Sequence, residues 1–356
     1  MGLKQQDYDR IRQELDDSVR PLFFFDDDPD GLSSFLQLYN YKQDGKGIVV
    51  KASPELGVQY LEKVKEYSPD KIFVLDKPLM EQEFIDGCKC PIIWIDHHTP
   101  VKRYGVNYFN PRLYDASNNV STSELCYHVV KGDLWLAAVG IIGDWQLSEV
   151  TKEFSKKYKD LLNPKIKKPD TALFETDIGK IIRIFQFLLK GQTKKVYQRI
   201  KILTRIHSPY ELLNGTTPKA RLLLKEYKPV ETAYKELLKQ GEECLTKDKF
   251  LIFKYYEDKI SMSTDVSNEL LHNHPKKIIF VARDRNGYVK GSIRCAFLDI
   301  AAMMPEVLNG LDGYGGGHEH ACGFSISTDD WDEFINRFKE LVKKTKKVSK
   351  ENNNKK

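Results

Sequence analysis

The sequence predicts an α/β protein with an N-terminal, mainly parallel-sheet domain, a helical connector and a smaller C-terminal α/β domain. Three observations lead there. Short apolar runs alternate with helical patterns through the first 145 residues. Two of those runs end directly at an aspartate. A second set of strand and helix patterns follows a long helical, lysine-rich stretch. Strands separated by helices build βαβ units, and sheets made that way bind ligands beyond the carboxyl ends of their strands.

The elements follow in order. Pro21–Phe25 reads as the first strand and runs into an acid-rich turn. A helix is expected from Leu32 to about Tyr41, and a strand over Gly47–Val50. Pro54–Glu66 reads as a helix with Leu56, Tyr60, Leu61 and Val64 on one face. Lys71–Leu75 and Pro91–Ile95 are strands, closed by Asp76 and Asp96. From about Glu149 to Gln240 the pattern is helical, with turns at Asn163-Pro164, Lys168-Pro169 and Asn214-Gly215. Phe250–Phe253, Ile278–Val281 and Val289–Cys295 are strands, with a helix around Asn268–Leu271 and another over Ile300–Leu308. A glycine-rich loop then precedes the strand Gly323–Ser327 and the helix Trp331–Val342. The domains are therefore 1–150, a connector 151–245, a second domain 246–342, and a Lys/Asn-rich tail 343–356 expected to be disordered.

Composition narrows the class. The chain has 356 residues, 41% hydrophobic and 30% charged, enough for two domains with real cores and too apolar for a disordered protein. No apolar run approaches the roughly 18 residues of a membrane span, and the charged Met1–Arg20 stretch does not read as a signal peptide. Six cysteines without paired spacing read as free thiols, so a cytoplasmic location is expected. Cys88-Lys89-Cys90 has no second pair to complete a zinc site. The formal charge of +5 hides an asymmetry. Residues 1–150 carry a net −8, 151–206 a net +10, 207–342 a net −3 and the tail +6. An acidic region joined to a basic one suits a cation site beside a surface for a polyanion, although a lysine-rich solvated face reads the same way.

The chemistry sits in the acids. Asp26, Asp27, Asp28 and Asp30 fall within five residues after the first strand, and such a cluster repels itself unless a cation neutralises it. Asp76, then Asp96-His97-His98, then Asp144 after the apolar stretch Leu136–Ile142, repeat the placement. Singly, each is most often a turn, a helix cap or a structural histidine. Together, carboxylates with one or two imidazoles suit a divalent ion such as Mn²⁺ or Mg²⁺. Two such ions about 3.5–4 Å apart can activate a water and stabilise a phosphodiester's leaving oxygen.

These motifs, in this order and spacing, resemble the four motifs of the DHH phosphoesterase family. Gly291-Ser292-Ile293-Arg294 and the run Gly315-Gly316-Gly317-His318-Glu319-His320-Ala321-Cys322-Gly323 resemble the associated C-terminal domain of its RecJ and nanoRNase branches, whose loop reads GGGHxxAxG. Asn110-Pro111-Arg112 and the acid-rich first motif are similar to RecJ-like archaeal proteins. The resemblance implies two bound cations, most readily Mn²⁺. Asp28 and Asp30 would each bind one, with Asp26 beside them. Asp76 would bridge the pair, and His97 and Asp144 would complete the second ion's shell. His98 would face the scissile phosphate, and Asp96 would orient the imidazoles. Arg294 and His318 would hold substrate phosphate, with the Gly315, Gly316 and Gly317 amides close to it.

The chain departs from the family pattern at three points. Phe24 stands where some branches have a histidine, Lys77 follows Asp76, and the additional oligonucleotide-binding fold of longer RecJ exonucleases is not expected within these residues. The expected substrates are single-stranded DNA or RNA, or short oligonucleotides, with no membrane partner. Tyr288 or Tyr314 could stack on a base, though packing is the commoner role for such aromatics. The alternatives are a cyclic-dinucleotide or nucleotide phosphatase using the same site, and a catalytically weak replication or repair scaffold. A manganese pyrophosphatase fits less well, because that branch lacks the GGGH loop.

Overall fold

A computed structural model describes residues 2–51, 55–256 and 261–353, with side chains of the last helix described as far as Lys344. The chain divides into two compact units, Met1–Lys228 and Pro229–Lys356.

The first unit opens with α1 (Gln5–Asp17), β1 (Pro21–Asp26), α2 (Pro29–Lys42) and β2 (Lys46–Val50). It continues through β3 (Glu55–Leu56), α3 (Leu61–Tyr67), β4 (Lys71–Leu75), β5 (Leu79–Met80), α4 (Gln82–Gly87), β6 (Ile92–Ile95) and β7 (Asn107–Phe109). Five strands form one sheet in the order β2-β1-β4-β6-β7, with every pairing parallel. Parallel strands are covered on both faces, so their side chains alternate between two buried layers. Phe24, Ile48, Val74 and Trp94 fill one layer. Phe23 and Phe25 point the other way, against Phe35 of α2. The strand order reverses between β1 and β4, and a crevice opens beyond the carboxyl ends at such a reversal. Asp26 ends β1 and Asp76 follows β4, so the fold delivers acids to both sides of it.

Helices complete the unit: α5 (Thr122–Val130), α6 (Leu134–Gly143), α7 (Glu149–Lys157), α8 (Pro169–Glu175), α9 (Asp177–Leu188), α10 (Thr193–Leu203) and α11 (Pro209–Asn214). Alpha-6 is apolar all round and packs against α2, α5 and α9, as a fully buried helix must. Much of the expected connector is therefore built into the first unit, because the apolar face of α9 (Ile178, Ile181, Phe185) is buried there. The next helix, α12 (Pro218–Glu243), runs across the division between the units.

The second unit holds β8 (Phe250–Tyr255), α13 (Ser263–Asn273), β9 (Ile278–Arg285), β10 (Tyr288–Cys295), α14 (Ile300–Leu308), β11 (Gly313–His318), β12 (Ala321–Ser327) and α15 (Trp331–Asn353). Its sheet runs β11-β12-β10-β9-β8, antiparallel except for the β8–β9 pair. Its core gathers Phe280, Ile293, Phe324, Phe334 and Phe338.

Four local expectations change. Within the expected helix Pro54–Glu66, Pro54 lies outside the described residues, and Glu55–Leu56 pairs as a short strand with β5. Helix begins only at Leu61, past Gly57 and one turn of 3₁₀ helix at Val58–Tyr60. Asp144 caps a helix instead of ending a strand, since an apolar run as short as Leu136–Ile142 reads alike in either state. The glycine-rich segment is itself strand β11, paired along its length with β12. Alpha-15 continues to Asn353, into the segment expected to be disordered. Lysine is a good helix former, and extending an existing helix carries no nucleation cost.

Candidate metal centre

The turn after β1 places the first acids. Asp28 caps α2 by accepting a 2.8 Å hydrogen bond from the Gly31 amide, and Pro29 takes the first helical position. Gly31 is required because a Cβ there would sit 2.7 Å from the Asp26 backbone nitrogen and oxygen. Asp30 is buried and accepts from the Thr122 and Ser123 amides at 2.8 and 2.9 Å, which ties it to the start of α5. Asp76 holds a left-handed backbone (φ +59°) and accepts from the Thr122 hydroxyl at 3.1 Å.

Ligand atoms converge in three overlapping groups, each within 4.8 Å: Asp26, Asp28 and Asp76; Asp76, His97 and His98; Asp30, His97 and Asp144. Asp76 and His97 each belong to two groups, so the three form one continuous site. The structure thus brings together all six residues expected to hold metal, and His98 with them.

The two histidines are oriented differently. His97 Nδ1 lies 3.0 Å from Asn119 Oδ1, an acceptor also held by Arg112 at 2.7 Å. The proton therefore sits on Nδ1, and the Nε2 lone pair faces Asp76 (3.4 Å) and Asp144 (3.6 Å). Burial lowers the His97 pKa and keeps the ring neutral, as a metal ligand must be. His98 Nδ1 donates to Asp96 Oδ1 at 2.8 Å, and Asp96 Oδ2 accepts from Tyr108 and Asn110. Burial opposes charge on His98, but the Asp96 hydrogen bond and the surrounding carboxylates outweigh it, so its pKa rises. Asp96 orients His98 alone; the expectation that it orients both imidazoles is corrected by Asn119, which serves His97.

Electrostatics provide the test of fit. Burial, then the charges of Asp26 and Asp30, push Asp28 up to about 7. Burial, then Asp30 and Asp28, push Asp144 up to about 9. Asp76 lies well above the ordinary carboxylate range for the same reasons. These acids resist ionising together without added positive charge, and their oxygens with one neutral imidazole match a divalent ion of intermediate hardness.

Sequence reasoning passed over Asn119, Thr122 and Tyr108, which carry no motif signal of their own. Lys77 was noticed as a departure. Its side chain is buried, and its ammonium donates to Asp26 Oδ1 at 2.7 Å. Its carbonyl accepts from the Trp94 indole, and Trp94 stacks on Tyr108 with ring centroids 4.1 Å apart. Phe24 lies in the apolar core, edge-on to Tyr60 and Phe84.

The sequence matches the DHH family, N-terminal domain, over residues 22–163 and the DHHA1 domain over residues 248–344. The chain belongs to the DHH family. No curated protein sequence matches it. Among solved structures it is similar to RecJ in complex with Mn²⁺ from Thermus thermophilus, with a TM-score of 0.67 and 17% identity over 97% of this chain and 55% of that one. The chain thus spans about half the length of that RecJ. It is also similar to an exonuclease RecJ bound to manganese (TM-score 0.57, 16% identity, 95% and 94% of the two chains). A third likeness is to PggH, a pGpG-specific phosphodiesterase from Vibrio cholerae (TM-score 0.52, 13% identity, 91% and 99%). At these identities the likeness is one of fold.

In the DHHA1 unit, register places Arg294 on β10 and His318 on β11 on either side of Ala321 in β12. Residues in one such row share a face of the sheet. Ser292, Gly323 and Gly316 form the next row on that face, so small side chains leave it open between Arg294 and His318. Arg294 is anchored by Asn268 Oδ1 at 2.6 Å and by the Ile293 carbonyl at 2.9 Å, and His318 is exposed. Gly315 and Gly317 belong to the opposite face, where Gly315 meets Met304.

Proposed function

We propose that this chain is a metal-dependent phosphodiesterase acting on single-stranded nucleic acid or short oligonucleotides. The observation that carries the reading is the continuous convergence of acid and imidazole ligands at the reversal point of the parallel sheet. Asp26, Asp28, Asp30, Asp76, His97 and Asp144 would hold two divalent cations, Mn²⁺ in the first instance and Mg²⁺ in the second. Bound there, such ions supply Lewis acidity to phosphoryl oxygens and lower the pKa of a water.

The chain's own residues do the rest. Asp76, which belongs to two of the ligand groups, would help to hold the cations. His98, held at Nδ1 by Asp96 and favoured in its charged form, would present its Nε2 proton to the phosphate or to the departing oxygen. Asn119 would keep His97 in the tautomer that ligates. Lys77 would fix Asp26 and leave that carboxylate's second oxygen for the site. In the second unit, Arg294 and His318, with the Gly316 backbone, would contact substrate phosphate. The net +10 of residues 151–206 would add salt-sensitive attraction for a polyanion.

The test is digestion of end-labelled 24-mer DNA and RNA, a dinucleotide and a cyclic dinucleotide, with Mn²⁺ and with chelator. Metal-dependent shortening of the linear strands supports the reading. Cleavage of the cyclic dinucleotide alone would move it to the phosphatase alternative, and no cleavage of any substrate would remove it.

A further inference from the structure

Trp145 directly follows Asp144 at the end of α6. Its amide donates to the Ile142 carbonyl and the Gln146 amide to the Ile141 carbonyl, both at 3.0 Å. That pair of bonds closes a helix through a residue in the left-handed conformation, and Trp145 adopts it with φ +57°. Glycine or asparagine ordinarily fills this position, because a Cβ is disfavoured there. Nothing in helix termination calls for an indole. The residue is 44% exposed, whereas Trp94, Trp135 and Trp331 are buried. Its ring rests edge-on against Phe174, with centroids 5.9 Å apart and planes at 62°. The neighbouring Asp144 carboxylate is 3.6 Å from His97 Nε2. A large aromatic surface is thus held out to solvent, at a conformational cost, beside the acid cluster.

We infer that Trp145 is a stacking platform for the nucleobase that adjoins the phosphate at the metal centre. The inference rests on the function proposed above and deepens it by naming a base subsite within the DHH unit. A single exposed aromatic face, next in the chain to Asp144, suits one base, whereas a protein partner would ask for a wider apolar patch. Stacking accepts any base, so the subsite gives preference for nucleotides without preference for sequence.

The full-length protein with Mn²⁺ is titrated with a dinucleotide whose phosphodiester is replaced by a non-hydrolysable methylene-phosphonate. A second titration uses the same backbone without bases. Binding of both ligands is read by titration calorimetry in every variant, and in the wild type the exposed Trp145 also reports by its emission. The base-bearing ligand should change the emission and bind at least ~10-fold tighter than the abasic one. Trp145→Gly should bring the two ligands within about twofold of each other, and Trp145→Phe should keep most of the preference. Because glycine suits the left-handed position, Trp145→Gly should melt no lower than wild type, so its binding loss is not a loss of fold. Equal binding of the two ligands by wild type, or a preference that survives Trp145→Gly, overturns the inference. Hydrolysis of the natural dinucleotide is followed alongside. Metal-dependent hydrolysis without base preference defeats the stacking alone, while absence of hydrolysis defeats the phosphodiesterase reading.

Discussion

At Asp76 the chain accepts a left-handed backbone, a nearly complete loss of solvent and the repulsion of the neighbouring aspartates. Each is unfavourable, and side chains held this way cluster at working sites. Asp76→Asn keeps the shape and the Thr122 contact but removes a charge. It should cut turnover at least about 100-fold and raise the melting temperature of the metal-free protein, both read on one purified sample. Lys77 carries the opposite sign into the same place. Lys77→Met leaves the Asp26 carboxylate beside Asp28 without its ammonium, and the metal-free protein should lose about 2 kcal/mol, since Asp26 is partly exposed and the pair is worth less than a fully buried one. Denaturant titration checks this, and added Mn²⁺ should close much of the gap by restoring positive charge. Lys77 was visible in the sequence as an oddity, but its ion pair was not: which neighbour a buried lysine meets depends on how β1 and β4 are juxtaposed.

At the scale of elements, the β11–β12 hairpin shows how closely its backbones approach. Gly317 has φ +153°, and a Cβ there would run into the Ala321 carbonyl, while one on Gly316 meets nothing within 4 Å. Gly317→Ala should destabilise the DHHA1 unit by about 2 kcal/mol, and Gly316→Ala by less than about 1, as measured by the unit's unfolding transition. The strands were legible where apolar runs ended at a charge, as at Leu75-Asp76 and Ile95-Asp96. They were not legible where glycine replaced the apolar signal, as in β11, or where only two residues pair, as in β3. Alpha-6 was ambiguous for a different reason. A buried helix has no polar face, so its sequence shows no period.

Over the whole molecule, the parallel sheet was legible in the alternation of strand and helix patterns, and Asp26, Asp76 and Asp96 in their place at strand ends, whereas Asp144 follows a helix and was picked out only by the apolar run before it. The orienting shell of Asn119, Thr122 and Tyr108 was not legible, since those residues are chosen by three-dimensional proximity and carry no spacing rule. The cluster also dictates a pH response. A carboxyl with a higher pKa folded than unfolded binds more protons in the folded state, so folding weakens as pH rises between the two values. Metal-free protein should therefore lose stability from about pH 4 toward about pH 9, the latter being where Asp144 titrates. Mn²⁺ requires the ionised carboxylates, so its stabilising effect should grow over the same interval. Thermal unfolding with Mn²⁺ and with chelator at a series of pH values reads both slopes. The most direct measurement is the Mn²⁺ stoichiometry by titration calorimetry on the full chain and on Asp76→Asn. Two ions per chain in the wild type, with at least one lost in Asp76→Asn, is the predicted result. A wild type that binds no Mn²⁺, or an Asp76→Asn protein that binds it identically, would contradict the convergence of these side chains on a pair of cations.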